Sequence, residues 1–105
     1  MKPWADYHED LIQWLRNPER AAGYLNAALE AGDREAFLMA LRNVVEAQGG
    51  MTKMAKVTKI NRVSLYKMLN AQGNPSFANI LKLLQVAGIR FQVAAQKNSS
   101  HRKAA

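Results

Sequence analysis

The segment that follows Asn61 carries residue types that can read the edges of base pairs. Arg62, Val63, Ser64 and Lys67 are left on the outer side of the first two turns of the short helix predicted there, away from its apolar residues. Arginine can fork onto guanine O6 and N7, serine can contact bases or phosphates, and valine can touch the methyl group of thymine. Asn61 can cap the free N–H groups of the first helical turn. This pattern indicates contact with nucleic acid.

The residues around this segment predict two short helices joined by a tight turn, over Gly50–Gly73. The inward side of the second helix consists of apolar residues at helical spacing, namely Ile60, Leu65, Met68 and Leu69. Lysines flank it as phosphate contacts that fix orientation without reading sequence: Lys53, Lys56 and Lys59. Two helices in this arrangement can place the second one in the major groove of DNA. An ordinary basic helical hairpin in a bundle would give a similar pattern.

Other chemistry has little support in the sequence. His8, Glu9 and Asp10 are adjacent, so on a helix their side chains point in different directions and do not converge on a metal ion or a reacting group. His101 lies in a polar tail, and the chain has no cysteine. We expect no catalytic activity, no metal site and no cofactor.

The charge is divided along the chain. All eight acidic residues lie between Asp6 and Glu46, which gives residues 1–46 a formal charge of −3. The 59 residues from Ala47 onward hold ten basic residues and no acidic one. Such a division predicts two different partners, one of them a polyanion. The alternative is a solvated basic surface that only maintains solubility.

Length and composition limit the remaining possibilities. The 105 residues suffice for one domain with a modest core, and nearly half of them are apolar. No apolar run is long enough to span a bilayer, and the first residues, MKPWADYHEDL, do not resemble a secretory signal. We therefore expect a cytoplasmic protein.

Capping residues and glycines predict where the other helices begin and end. Asn17, Asp33 and Ser76 can each cap a helix, and Pro18 suits a first helical position. Glycines should end the helices at Gly32, at Gly49-Gly50 and at Gly88. The predicted inward faces are Trp4, Tyr7, Leu11, Ile12 and Leu15 in the first helix; Ala21, Ala22, Leu25, Ala28 and Leu29 in the second; Phe37, Leu38, Leu41, Val44 and Val45 in the third; and Phe77, Ile80, Leu81 and Leu84 in the last.

The prediction is an all-α fold: a five- to six-helix bundle that contains a helix-turn-helix and ends in a short C-terminal β-strand. Arg90-Phe91-Gln92-Val93 alternates polar and apolar residues, which predicts the strand, although a lone strand must find its partner elsewhere. We expect a single domain over 1–105. Its parts are an N-terminal amphipathic helix (1–17), two helices (18–48), the helix-turn-helix region (49–88), the strand (89–96) and a disordered basic tail (97–105).

The sequence also resembles known families. Residues 50–89 are similar to an Xre/Cro-type helix-turn-helix domain, whose final helix resembles GNPSFANILKLLQVAGI. A closer resemblance is to the predicted addiction-module antidote (antitoxin) family with a helix-turn-helix domain. It covers about Pro18 to Val93 and is carried by AAGYLNAALEAGDREAFLMALRNVVEAQGGM and by NRVSLYKMLNAQGNPSFANILKLL.

This resemblance implies a small antitoxin that neutralises a RelE/HigB-like toxin, usually an mRNA-cleaving ribosome-dependent nuclease. It also implies a homodimer that binds operator DNA and represses its own operon. Base reading then falls on Arg62, Val63, Ser64 and Lys67, with Asn61 as the helix cap.

Two positions depart from the wider family. Met51 stands where many members have a glutamine that braces a phosphate, so phosphate anchoring would rest on Thr52 and Lys53. Lys59 stands where the turn usually has glycine, so either Lys59 adopts a strained left-handed conformation or the turn is built differently.

Two other functions fit the same residues. The first is a stand-alone helix-turn-helix transcriptional regulator that has no toxin partner. The second is an interaction module whose basic face binds an acidic protein or RNA.

Overall fold

A computed structural model describes residues 3–96, with side chains from residue 6 onward. Six α-helices follow one another: α1 (Pro3–Trp14), α2 (Pro18–Glu30), α3 (Arg34–Ala47), α4 (Gly50–Thr58), α5 (Arg62–Met68) and α6 (Phe77–Val86). The fold of this part of the chain is all-helical, as predicted. The side chain of Trp4 and the predicted basic tail, 97–105, lie outside the described residues.

Local capping chemistry sets the start of four helices at the predicted residues. The side chain of Asn17 accepts hydrogen bonds from the N–H groups of Glu19 and Arg20, and Pro18 follows it at the first helical position. Asp33, Asn61 and Ser76 cap α3, α5 and α6 in the same way. Each cap satisfies N–H groups that have no partner within their own helix.

The helices meet around one cluster of buried apolar side chains to which all six contribute. α3 packs against α1, α2 and α4, while α4 also contacts α5 and α6. The inward side of α5 is buried as predicted: Leu65 and Leu69 have no exposed surface, and Ile60 and Met68 are nearly covered. This burial fixes which side of α5 faces outward.

Three residues, Lys59, Ile60 and Asn61, separate α4 from α5. Lys59 adopts a left-handed conformation, with φ 62° and ψ 25°, and is the one non-glycine residue with positive φ among those described. The buried hydroxyl of Thr58 donates a hydrogen bond to the carbonyl of Met54 at 2.6 Å. Lys59 therefore bears the strain that a Cβ causes in this left-handed conformation.

Several predicted inward residues face solvent instead. Tyr7 is 81% exposed, and Leu29, Phe77 and Leu81 are also exposed. In α6 the predicted Leu84 is buried and Ile80 packs against the core, but Leu83 and Ala87 are buried as well, so the core-facing side is rotated away from Phe77 and Leu81. Apolar residues that are four positions apart form a stripe along one side of a helix. When a helix has apolar residues on two sides, only the side that other helices cover is buried.

The predicted C-terminal strand is wrong for the residues that the structure describes. Residues 90–96 have no regular secondary structure, and no strand occurs in 3–96. The alternation is present, but no described strand is available to pair with it. Phe91 instead packs edge-on against Phe77, with ring centroids 5.2 Å apart. None of the helices described has the length and apolar character required to cross a membrane.

Candidate nucleic-acid interface

The outer side of α5 presents the four residues that were predicted to read bases. Arg62, Val63, Ser64 and Lys67 are all exposed, and Val63 is 61% exposed. Asn61 fixes the start of the helix, since its Oδ1 accepts the N–H of Val63 at 2.8 Å and that of Ser64 at 3.3 Å. The opposite side of α5 packs in the core, so these side chains project into solvent from a helix whose position is fixed.

The start of α4 carries the predicted phosphate contacts. Thr52 and Lys53 are exposed in its first turn. Gly49 precedes the helix and provides no side-chain cap, so none of the first N–H groups is satisfied by a capping side chain. Met51 is half-buried and packs against the core, so its side chain adds no hydrogen-bonding group to this surface.

The helix-turn-helix prediction overlooked Tyr66 and Arg42. The Tyr66 ring lies at the surface of α5, and the guanidinium carbon of Arg62 is 5.6 Å from its centroid. The guanidinium carbon of Arg42, from α3, is 5.7 Å from the same centroid. The spacing of four between Arg62 and Tyr66 could have revealed the first contact. No pattern in the sequence reveals the second one, which joins residues from different helices.

The surface of α1 has a different character. Asp6, Glu9 and Asp10 are exposed there, as are Tyr7 and Trp14. His8 contacts both carboxylate oxygens of Glu46 at 3.3 Å, which links α1 to the end of α3. Within the described residues, no group of three or more acidic, histidine or cysteine side chains is arranged to hold a metal ion.

Comparisons with known proteins place the chain in a family. The family model described as "Probable addiction module antidote protein" matches residues 7–95. A protein of Haemophilus influenzae described as uncharacterised is 34% identical over 84 residues, which span 80% of this chain and 86% of that protein. No solved structure matches significantly. The family match covers all six helices almost completely, and the chain belongs to the family of probable addiction module antidote proteins.

Proposed function

We propose that this chain is the antitoxin of a type II toxin–antitoxin module. In this proposal the chain neutralises a RelE/HigB-like toxin. It also binds operator DNA as a homodimer and so represses its own operon. The protein would lie in the cytoplasm and would be associated with the nucleoid when it is bound to DNA. Membership of the antidote family supports a toxin partner of some kind. DNA binding and the dimer are inferences from the surfaces described above and from the family resemblance, whereas the class of toxin rests on that resemblance alone.

The outer side of α5 is the observation that carries the DNA proposal. α4 and α5 form a helix-turn-helix in which α5 is the recognition helix, held from behind by the core. Arg62 and Lys67 supply cationic donors to base edges and phosphates, and exposed Val63 supplies an apolar contact for a thymine methyl. Thr52 and Lys53 would contact the phosphate backbone from α4.

The N-terminal helix supports a separate protein-binding surface. Its exposed acids would attract a basic toxin and accelerate association. Exposed Tyr7 and Trp14 border an open groove, and aromatic residues of this kind are frequent anchors at protein interfaces. The two partners would therefore meet the antitoxin on surfaces of opposite charge.

Exposed apolar side chains on α6 and in the segment after it support a homodimer. Phe77 is 55% exposed, Val93 is 80% exposed, and Leu81 and Phe91 are also exposed. Clusters of exposed apolar side chains mark interaction sites in soluble proteins. A symmetric contact through α6 would join two copies, and the two α5 helices would have to stand about 34–36 Å apart to reach successive turns of one DNA face.

Two measurements test the proposal. Titration of labelled promoter DNA and a random duplex of equal length should give tighter binding to the promoter, with affinity that falls as salt rises. Coexpression with the product of the neighbouring reading frame should yield a stable complex that restores growth.

Equal affinity for both duplexes would favour an interaction module that has an acidic protein or RNA partner. Promoter binding without a toxic neighbour would favour a stand-alone regulator. For the dimer, Leu81→Ser should shift the sedimentation behaviour to that of a monomer, whereas Met39→Ser, at an exposed apolar position of α3, should not.

A further inference from the structure

The ring of Tyr66 contacts two arginines that belong to different helices. Tyr66 is 38% exposed, and the guanidinium carbons of Arg62 and Arg42 lie 5.6 Å and 5.7 Å from its centroid. These distances are within the range of cation–π attraction. Arg42 belongs to the acidic half of the sequence, yet the fold brings it to the basic α5 surface.

Arg42 forms no ion pair with a carboxylate of the described residues. Glu46 lies one helical turn beyond Arg42, a spacing that would allow an ion pair. The carboxylate of Glu46 instead contacts His8, and the described residues place no carboxylate in ion-pair contact with Arg42. Arg42 and Tyr66 line a cavity of about 200 Å³ together with Glu46, Gly50 and Met51, where α3, α4 and α5 meet.

We propose that Arg42 binds a phosphodiester group of double-stranded DNA and that Tyr66 positions both Arg42 and Arg62 for DNA contact. This inference rests on the proposed DNA binding and extends the interface beyond α4 and α5. A phosphate contact by Arg42 would fix the register of the protein without reading sequence, whereas Arg62 would face base edges. Because both arginines contact the ring of Tyr66, a change to that ring should alter the phosphate contact and the base contact together.

The physical advantage of the ring is preorganisation. A guanidinium stacked on an aromatic face has less conformational freedom to lose when it binds, while its N–H donors stay available to form a fork with phosphate oxygens. Arg42 is half-buried, which restricts its motion further. An arginine that is not stacked on a ring would lose more conformational freedom when it binds.

The test is a salt titration of DNA binding. Arg42→Ala should weaken binding to promoter and random duplex alike by about tenfold, and should reduce the slope of log K against log salt by about 0.9 between roughly 50 and 200 mM salt. Arg42→Gln, which keeps most of the stem, should behave in the same way. Arg20→Ala is the matched control: Arg20 is stacked on Trp14 at 5.5 Å on the α1–α2 side, and its removal should leave the slope unchanged.

Tyrosine variants test the positioning role. Tyr66→Phe keeps the ring and should bind as the unchanged protein does. Tyr66→Leu keeps an apolar side chain but removes the ring, so it should lower both the salt slope and the preference for promoter over random DNA. Circular dichroism would verify that each variant is folded.

Two outcomes would overturn the inference in different ways. A normal salt slope in folded Arg42→Ala and Arg42→Gln, beside a clear loss in Arg62→Ala, would overturn the role of Arg42 and leave DNA binding intact. No salt-dependent binding by the unchanged protein would overturn the proposed function together with this inference.

Discussion

The side-chain oxygen of Thr58 accepts a hydrogen bond from the backbone N–H of Ile60 at 3.3 Å, across the turn between α4 and α5. The same hydroxyl donates to the carbonyl of Met54, so one buried side chain joins the end of α4 to the entry of α5. Because Ile60 is also buried, its N–H has no ready access to water. The angle at which α5 leaves the turn therefore depends on this hydroxyl.

Replacement of Thr58 by valine should lower the free energy of unfolding by about 1–3 kcal/mol, because it removes both hydrogen bonds while preserving the shape. Urea denaturation measures this loss. Thr58→Ser, which keeps the hydroxyl, should recover part of it. Thr52→Val, at an exposed position of α4, is the matched control and should change stability little. A loss as large at Thr52 as at Thr58 would contradict the role assigned to the turn.

Gly73 should not tolerate a side chain. A Cβ there would overlap the carbonyl oxygen of Met68 and lie 2.7 Å from that of Lys67, and backbone atoms cannot move aside cheaply. Gly73→Ala should therefore lower the melting temperature sharply. The control is Gly23→Ala in α2, where a Cβ meets nothing within 4 Å, and it should stabilise the protein by about 0.5–1 kcal/mol through helix propensity. Similar melting curves for the two variants would contradict this account.

Lys59→Gly should raise the free energy of unfolding by about 1 kcal/mol. The left-handed backbone costs a residue with a Cβ about 1–2 kcal/mol, and the greater entropy of glycine in the unfolded chain offsets part of the gain. Lys59→Ala removes the same charge and keeps the Cβ, so it should not stabilise. A gain of equal size in both variants would show that charge, and not backbone strain, is responsible.

The residues proposed to contact DNA divide into two kinds with different expected effects. Arg62→Ala should cost about 1–3 kcal/mol on promoter DNA and reduce the preference for promoter over random duplex. Lys53→Ala should weaken binding to both duplexes alike and reduce the salt slope by about one. Fluorescence anisotropy titrations at several salt concentrations measure both. Equal losses on both duplexes for both variants would contradict the separate roles.

Features that depend on neighbouring residues could be predicted from the sequence. The caps at Asn17, Asp33, Asn61 and Ser76 involve contacts across two or three residues, and each is present in the structure. The inward side of α5 was predictable for a similar reason, since Leu65, Met68 and Leu69 recur at spacings of three and four residues.

Features that depend on distant residues could not be predicted. The exposure of Phe77 depends on which side of α6 the other helices cover, and its spacing from Leu81 carries no such information. The contact between Arg42 and Tyr66 joins α3 to α5, so no local spacing indicates it. The predicted strand over 89–96 required a pairing partner that an alternating sequence does not itself provide.

Substitution of Lys59 by glycine could also act as a second-site suppressor of destabilising substitutions elsewhere in the protein. Since the penalty at this turn is local and separate from the packing of the buried cluster, its relief should add to the effect of distant substitutions. A core variant that has lost about 1 kcal/mol could regain it by Lys59→Gly. In a stability screen of variants damaged in α1, α2 or α3 and randomised at position 59, glycine at that position should therefore be enriched.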